Sequence, residues 1–133
     1  MILLDTHAWV WLDEGSCRRG KESLSLIDQS LKSGELYVSA ISFWEVTMLI
    51  EKGRLEMRSE VELWRQSLID NGLQEISLTG NIAIRSALLE NFHGDPADRM
   101  IVATAIHMNS TLCTADEKIL SWEQSLQRLD ARK

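Results

Sequence analysis

Short apolar strands that alternate with helices are the feature of this sequence that most restricts its fold. Residues 1–4 form a continuous apolar run, which is typical of a strand buried on both faces. Further strand candidates follow at 36–41, 74–78, 110–114 and 126–129. Helical spacing of apolar residues predicts helices between them, over about 7–12, 17–32, 42–53, 59–71, 79–91, 96–108 and 114–122. The alternation predicts an α/β protein with a parallel sheet, and 133 residues is the size of a single domain, 1–133.

The predicted helix 96–108 is apolar over most of its surface, so we expect it to be buried. Asp95 is placed to cap its N-terminus, Pro96 suits the first helical position, and Asp98 falls in the first turn. Unpaired backbone N–H groups and the helix dipole favour negative charge there. Two carboxylates at the start of a buried helix either cap its N-terminus or bind a cation. The other acidic residues help to decide between these two explanations.

Four acidic residues lie at predicted helix starts, and three of them directly follow a predicted strand: Asp5, Glu45, Asp98 and Asp116. In open parallel sheets such positions line the crevice at the carboxyl ends of the strands, where ligands bind. Four converging carboxylates would repel one another and resist ionisation unless a cation lay among them. Oxygen ligands without cysteine or paired histidine indicate Mg²⁺ or Mn²⁺. Such ions activate water for attack on a phosphodiester.

Helix capping is the alternative explanation for each of these acids taken alone. The segments Ser42-x-x-Glu45 and Thr114-x-x-Glu117 both have the form of a capping box. Asp5 fits capping least, because Thr6 is placed to cap that helix instead. Asp116 also stays free, because the box uses the residue after it. Since all four acids lie at crevice positions, together they favour a metal site over capping.

The net charge of −6 disfavours simple electrostatic binding of nucleic acid, which needs a basic face. Divalent cations bound among the acids are one answer to that objection. Cys17 and Cys113 form no disulfide framework or metal-ligand spacing, which fits a reducing cytoplasm. The scattered histidines argue against a zinc site. The apolar runs are far too short to span a membrane, and no signal peptide precedes Asp5.

A few other side chains have two interpretations each. Most of the five tryptophans are predicted to pack in the core or at a subunit interface rather than to stack on bases. Arg99 is placed to hold a carboxylate or a phosphate. Thr114 either orients a metal-bound water or caps its helix, and His93 and His107 are predicted to be structural rather than catalytic.

Four segments occur in order along almost the whole chain with a recognisable spacing. They are LLDTHA at 3–8, SAISFWEV at 39–46, HGDPADRMIVA at 93–103 and LCTADEKI at 112–119. No single segment is specific, but the ordered set resembles the PIN domain of VapC-type toxins. This resemblance implies a three-layer sandwich, in which helices flank a five-stranded parallel sheet of order 3-2-1-4-5.

The resemblance also implies a Mg²⁺- or Mn²⁺-dependent endoribonuclease. The acidic ligands of that family match four positions here: Asp5, Glu45, Asp98 and Asp116. Thr6 and Thr114 match its nearby hydroxyl positions, and Asp95 matches a supporting acid. Toxins of this type usually form homodimers and are inhibited by a cognate antitoxin encoded next to them. The antitoxin binds DNA, so DNA is a partner of the toxin only through the complex.

We therefore predict a metal-dependent RNA endonuclease that acts as a toxin, with one or two ions in its site. Asp5, Asp98 and Asp116 are predicted to be the principal ligands. Glu45 is predicted to hold a second ion or a metal-bound water, so no histidine base is needed. The alternatives are a PIN scaffold without turnover that binds RNA or protein, and a DNA nuclease or phosphatase that uses the same ions.

Overall fold

The computed structural model describes residues 1–14 and 20–133, except for the side chains at 11–14. Its centre is a five-stranded sheet with the order β3-β2-β1-β4-β5, in which every neighbouring pair is parallel. The strands are β1 (Ile2–Leu4), β2 (Leu36–Ser39), β3 (Gln74–Ile76), β4 (Thr111–Thr114) and β5 (Arg128–Asp130). The predicted α/β class, the five parallel strands and the order 3-2-1-4-5 are confirmed.

Helices connect the strands and cover both faces of the sheet. In the described residues they are α1 (Thr6–Glu14), α2 (Lys21–Lys32), α3 (Ala40–Glu51), α4 (Val61–Asp70), α5 (Gly80–Ala87), α6 (Pro96–His107) and α7 (Glu117–Leu120). The predicted start of the second helix, at residue 17, lies outside the described residues. None of the described helices is both long and apolar enough to cross a lipid bilayer.

Strand β1 is the middle strand, and its side chains alternate between two apolar cores. Ile2 and Leu4 join one core, which includes Trp9 of α1. Leu3 joins the other core, which includes Ile101 of α6. Leu3 and Leu4 are 1% and 0% exposed, and full burial of a leucine side chain contributes about 1.5–3 kcal/mol. The run of apolar residues at 1–4 is therefore explained by helices packed on both faces of the sheet.

Three of the tryptophans lie in these cores, as the composition predicted. Trp9 and Trp64 stack with ring centroids 4.5 Å apart, and Phe43 meets Trp9 edge-on at 4.7 Å. Trp122 is buried in the second core, on the other face of the sheet. Trp44 differs, because more than half of its surface is exposed. The side chain of Trp11 is not among those that the structure describes.

The junction between β2 and α3 lies earlier than the sequence predicted. The strand ends at Ser39, and the Ser39 hydroxyl accepts the backbone N–H of Ile41 at 3.2 Å, so it caps a helix that begins at Ala40. The alternative explanation of Glu45 as the partner of Ser42 in a capping box is therefore excluded, and the predicted helix start at Ser42 is wrong. Glu45 does not lie at the helix start but in the second turn of α3. Two serines three residues apart both suit an N-cap, and the earlier one takes the role.

Arg99 holds together the loop between α5 and α6, which is a correction to its predicted role. Its guanidinium donates to the backbone carbonyls of five residues, at distances of 3.0–3.3 Å: Ser86, Ala87, Leu89, Phe92 and His93. These bonds occupy the guanidinium, so it holds neither a carboxylate nor a phosphate. They also satisfy carbonyls that α5 leaves unpaired, since that helix ends at Ala87 rather than at residue 91.

Candidate active site

All four predicted acids line one cavity at the carboxyl edge of the sheet. Asp5 follows β1 and Asp116 follows β4, while α3 carries Glu45 and α6 carries Asp98. We call this space, of about 340 Å³, the acidic cavity; its other lining residues are Thr6, His7, His93, Asp95 and Lys118. The topology of the sheet thus brings together acids that are far apart in sequence, as predicted for ligands at the carboxyl ends of parallel strands.

Asp5 is the most deeply buried of the four carboxylates, with 5% of the residue exposed. Its Oδ1 accepts the backbone N–H of Ala8 at 2.8 Å, so Asp5 caps α1. The prediction that Thr6 caps this helix is therefore wrong. The other carboxylate oxygen of Asp5, Oδ2, accepts a hydrogen bond from the hydroxyl of Thr114. Burial raises the pKa of Asp5, and these two hydrogen bonds oppose that increase only in part.

Thr6 connects α1 to the glutamate on α3. Its buried hydroxyl donates to Glu45 Oε1 at 2.5 Å and lies 3.0 Å from the hydroxyl oxygen of Ser42. Burial raises the pKa of Glu45, and the charge of Asp98 adds to this, while the Thr6 hydrogen bond opposes it. Thr6 therefore orients the Glu45 carboxylate toward the cavity instead of capping its own helix.

Asp98 is held by two local contacts. Its backbone N–H donates to Asp95 Oδ1 at 3.2 Å, which confirms Asp95 as the N-cap of α6. His93 Nε2 lies 2.8 Å from Asp98 Oδ2. Burial raises the pKa of Asp98, the hydrogen bond from His93 lowers it, and the charges of Asp95 and Asp116 raise it. The ionised form of Asp98 is therefore less favourable in the acidic cavity than in water.

Asp116 has the capping role that the sequence assigned to Thr114. Asp116 Oδ1 accepts the backbone N–H of Lys118 at 2.9 Å and caps α7, which begins at Glu117. The Thr114 hydroxyl oxygen accepts the backbone N–H of Asp116 at 3.1 Å, and the same hydroxyl donates to Asp5. The predicted capping box from Thr114 to Glu117 is therefore wrong. Asp116 combines a cap with a position in the cavity, so a capping role does not exclude a place among the cavity acids.

The donor atoms suit a hard divalent cation. One ligand atom from each of His93, Asp98 and Asp116 lies within 4.8 Å of the others. Asp5 and Glu45 add carboxylates to the same cavity, and burial raises the pKa of both. A bound cation would offset that desolvation and the mutual repulsion of the acids. Oxygen-rich sites of this kind favour Mg²⁺ or Mn²⁺ over softer metals.

Sequence reasoning missed three residues of the acidic cavity: His7, His93 and Lys118. His93 was interpreted as structural, and its contact with Asp98 shows that it belongs to the cavity. A signal existed in its spacing, because His93 lies two residues before the Asp95 cap. His7 and Lys118 adjoin Thr6 and Glu117 in the chain, but nothing in their local pattern distinguished them from ordinary surface residues.

A parallel sheet with a partly buried cluster of carboxylates at its carboxyl edge defines an α/β protein with an acidic cavity. The family model described as the PIN domain matches residues 2–122, so the chain belongs to the PIN-domain family. It is 34% identical over 121 residues to the ribonuclease VapC22 of Mycobacterium tuberculosis, and the match covers 90% of each chain. The resemblance seen in the sequence is thereby confirmed.

Solved structures of toxin–antitoxin complexes share the fold. One is VapBC2 from Rickettsia felis bound to a DNA fragment from its promoter, with 17% identity, a TM-score of 0.69, and coverage of 98% of this chain and 100% of that chain. Another is VapBC-1 from nontypeable Haemophilus influenzae, with 20% identity, a TM-score of 0.66 and full coverage of both chains. A third is a toxin–antitoxin complex from Klebsiella pneumoniae, with 22% identity, a TM-score of 0.61 and 92% coverage of both chains.

Proposed function

We propose that this chain is the toxin ribonuclease of a VapBC-type toxin–antitoxin module. The observation that carries the proposal is the convergence of four carboxylates on one cavity, in a chain 34% identical to a ribonuclease of that type. Two of these carboxylates are held by hydroxyl groups and two by local hydrogen bonds. A cluster of this kind is costly to keep in a folded protein, and cation-dependent chemistry on a phosphodiester accounts for it.

Asp5, Asp98 and Asp116 would hold one Mg²⁺ or Mn²⁺ ion, and Glu45 would complete the site or hold a second one. When bound, the ion supplies an activated water and stabilises charge on the phosphate oxygens. The protein supplies orientation: the Thr114 hydroxyl fixes Asp5, the Thr6 hydroxyl fixes Glu45, and Asp95 fixes the start of the helix that carries Asp98. In this proposal no histidine acts as the general base.

We propose four further properties of the same protein: a cognate antitoxin as its inhibitor, assembly as a homodimer, a cytoplasmic location, and a single PIN domain over 1–133. Toxin–antitoxin complexes among the structures with this fold support the first. For the second, Ile84 and Leu88 lie one turn apart and are 62% and 72% exposed, so together they form an apolar patch that a second copy of the chain would cover. We expect Leu88→Glu to lower the mass measured by sedimentation equilibrium to that of one chain, and Glu90→Gln to leave it unchanged.

The test of the nuclease is cleavage of a structured RNA pool by the purified chain with Mg²⁺, with Mn²⁺ and with EDTA. We expect metal-dependent cleavage that Asp5→Asn reduces by about 100-fold or more, because one carboxylate ligand is lost. Asp70→Asn is the matched control, since Asp70 is an exposed aspartate on α4. Equal cleavage by wild type and Asp5→Asn would indicate a contaminating ribonuclease.

The same experiment separates the rival functions. Duplex DNA and a phosphomonoester, tested beside the RNA, identify a DNA nuclease or a phosphatase by the substrate that is consumed. No cleavage of any substrate, together with no Mg²⁺ binding in calorimetry at millimolar concentration, would favour a PIN scaffold that only binds RNA or protein. Mg²⁺ binding without cleavage would contradict the proposed substrates but keep the metal site.

A further inference from the structure

A second cavity opens beside the acidic cavity, and we infer that it binds one base of the RNA substrate. This inference rests on the proposed function. The cavity has a volume of about 420 Å³, within the range of about 300–1,000 Å³ found for small-ligand sites. We call it the side cavity and define it by six of its lining residues: Asn91, Phe92, His93, Lys118, Trp122 and Gln124.

The side cavity is continuous with the acidic cavity. His93 and Lys118 line both, so the two spaces meet at these two side chains. His93 also contacts Asp98 at 2.8 Å, which places the boundary at the carboxylate cluster itself. A nucleotide whose phosphate lies at the acids would therefore have its neighbouring base within reach of the side cavity.

The partly exposed rings of Phe92 and His93 supply a rigid wall for that base, and the buried ring of Trp122 packs behind them. The Phe92 ring lies 5.3 Å from the Trp122 ring at 80° and 4.3 Å from the His93 ring. The Trp122 indole N–H donates to the Glu90 carbonyl at 2.9 Å, and Arg99 holds the carbonyls of Phe92 and His93. Nucleobases of single-stranded RNA pack against aromatic side chains, and such contacts are stronger when the wall is already fixed.

Free amide groups supply the means to recognise a base edge. Asn91 and Gln124 are exposed residues at the side cavity, and within residues 1–14 and 20–133 neither side chain amide has a hydrogen-bond partner. An amide presents both donors and an acceptor, as base edges do. A base bound here would thus be read by hydrogen bonds as well as by packing, and the cleavage sequence would depend on it.

The distribution of charge favours a base in the side cavity and a phosphate at the boundary. The acidic cavity repels anions unless cations are bound, whereas the side cavity has one cation and one anion among its lining residues, Lys118 and Glu123. In the part of the chain that the structure describes, Lys118 forms no ion pair. It is therefore available for an RNA phosphate that passes from one cavity to the other.

Photocrosslinking locates the base without requiring cleavage. The probe is a single-stranded oligoribonucleotide pool containing 4-thiouridine, bound to full-length Asp5→Asn protein with Mg²⁺, irradiated, and digested with trypsin. The diagnostic peptide is 119–128, which contains Trp122 and Gln124 but none of the four acids. We expect crosslinks in this peptide. Crosslinks confined to peptides that carry none of the six residues of the side cavity, or no crosslinks at all, would contradict the inference.

Variants test recognition separately from catalysis. For Asn91→Ala combined with Gln124→Ala, we expect the base preference at one position next to the cut to fall about 5-fold or more, read from sequenced RNA ends. For Lys118→Ala, we expect KM to rise about 5-fold for all sequences alike, with a lower salt dependence of binding. Gln66→Ala, at an exposed glutamine on α4, is the matched control.

These outcomes distinguish the inference from the proposed function. If the wild type cleaves RNA and the double variant keeps the same base preference, the ribonuclease stands and the base site is overturned. Absence of cleavage in the wild type would overturn the ribonuclease, while crosslinks in 119–128 would still show that RNA occupies the side cavity. The double variant's circular dichroism and melting curve verify that it is folded.

Discussion

The two halves of the acidic cavity are built in different ways. On one side, Asp5 and Glu45 accept hydrogen bonds from threonine hydroxyls that are far away in sequence, separated by 109 and 39 residues respectively. On the other side, Asp98 and Asp116 are held by bonds within five residues of each acid. Asp5 also has one local bond, from the backbone N–H of Ala8, but the two threonine bonds of this half form only in the assembled fold. All the bonds named for the second half are local to helix starts.

This difference indicates which acids are tied to global stability. The hydroxyl of Thr114 joins the end of β4 to the residue that follows β1, so its bond to Asp5 forms only when the two strands pair. The His93 contact to Asp98 needs only the loop before α6 and the first turn of that helix. A change in the first half should therefore affect unfolding, while a change in the second should affect mainly the site.

The largest effect on stability is expected for Thr114→Val. Thr114 is fully buried, and valine keeps its shape while removing the hydroxyl that donates to Asp5. The buried carboxylate and the N–H of Asp116 then each lose a partner. An unsatisfied buried polar group costs about 1–3 kcal/mol, so we expect the free energy of unfolding in urea to fall by about that amount.

Two variants on the same elements sharpen this prediction. Thr111→Val, on β4, removes a hydroxyl whose bond to Gln127 is exposed, and we expect a change under about 0.5 kcal/mol. Thr6→Val removes the donor to Glu45, which is less buried than Asp5, so its cost should lie between the two. Equal effects at positions 111 and 114 would show that the long-range bond to Asp5 does not matter for folding.

The parts of the fold that depend on local pattern were predictable from the sequence. The apolar run at 1–4 and the cap at Asp95 with Pro96 both matched the structure. The junction at Ser39 was not predictable, because Ser39 and Ser42 both suit an N-cap and only the length of β2 decides between them. Local pattern thus determined which elements form, while pairing in the sheet determined where they end.

The candidate site divides in the same way. Asp5, Asp98 and Asp116 could be selected because each lies at the end of a strand or the start of a helix. Glu45 was selected from a helix start predicted at Ser42, whereas α3 begins at Ala40. The roles of Thr6 and Thr114 as hydroxyl donors could not, since each bond joins elements that are distant in sequence. The role of Arg99 was missed for a related reason: its carbonyl partners exist only once α5 ends and the loop after it folds back.

A second prediction concerns pH and metal, and its effect should be smaller than that of Thr114→Val. Burial raises the pKa of three acids from both halves of the cavity, Asp5, Glu45 and Asp98. The folded protein therefore binds more protons than the unfolded chain near and above the ordinary carboxylate pKa. Proton binding by these three acids therefore contributes to the free energy of unfolding. The contribution is fully present below the ordinary carboxylate pKa, and it is lost as pH rises through the raised pKa values of the folded state.

Thermal melting between pH 4 and pH 8 measures this effect. In EDTA we expect the melting temperature to decline with rising pH over the range in which the buried acids ionise. With Mg²⁺ we expect the decline to be reduced or reversed, because a bound cation stabilises the ionised folded state. Asp98→Asn should weaken the decline in EDTA and remove the response to Mg²⁺. A melting profile that is identical with and without Mg²⁺ would contradict the proposed ion site.

Among the variants at the acidic cavity itself, the smallest effect on stability is expected for His93→Ala, which breaks the local half of the cavity. His93 and Asp98 are both partly exposed, so loss of their contact should change the free energy of unfolding by less than about 1 kcal/mol. The hydrogen bond from His93 lowers the pKa of Asp98, so its loss should raise that pKa further. Protons then compete with Mg²⁺ at higher pH, and we expect the affinity for Mg²⁺ in calorimetry to weaken more steeply between pH 8 and pH 6 than in wild type.

His107→Ala, at an exposed histidine in the last turn of α6, should leave both stability and affinity unchanged. If His93→Ala instead destabilised the protein as much as Thr114→Val, the contrast between a long-range half and a local half of the cavity would be wrong.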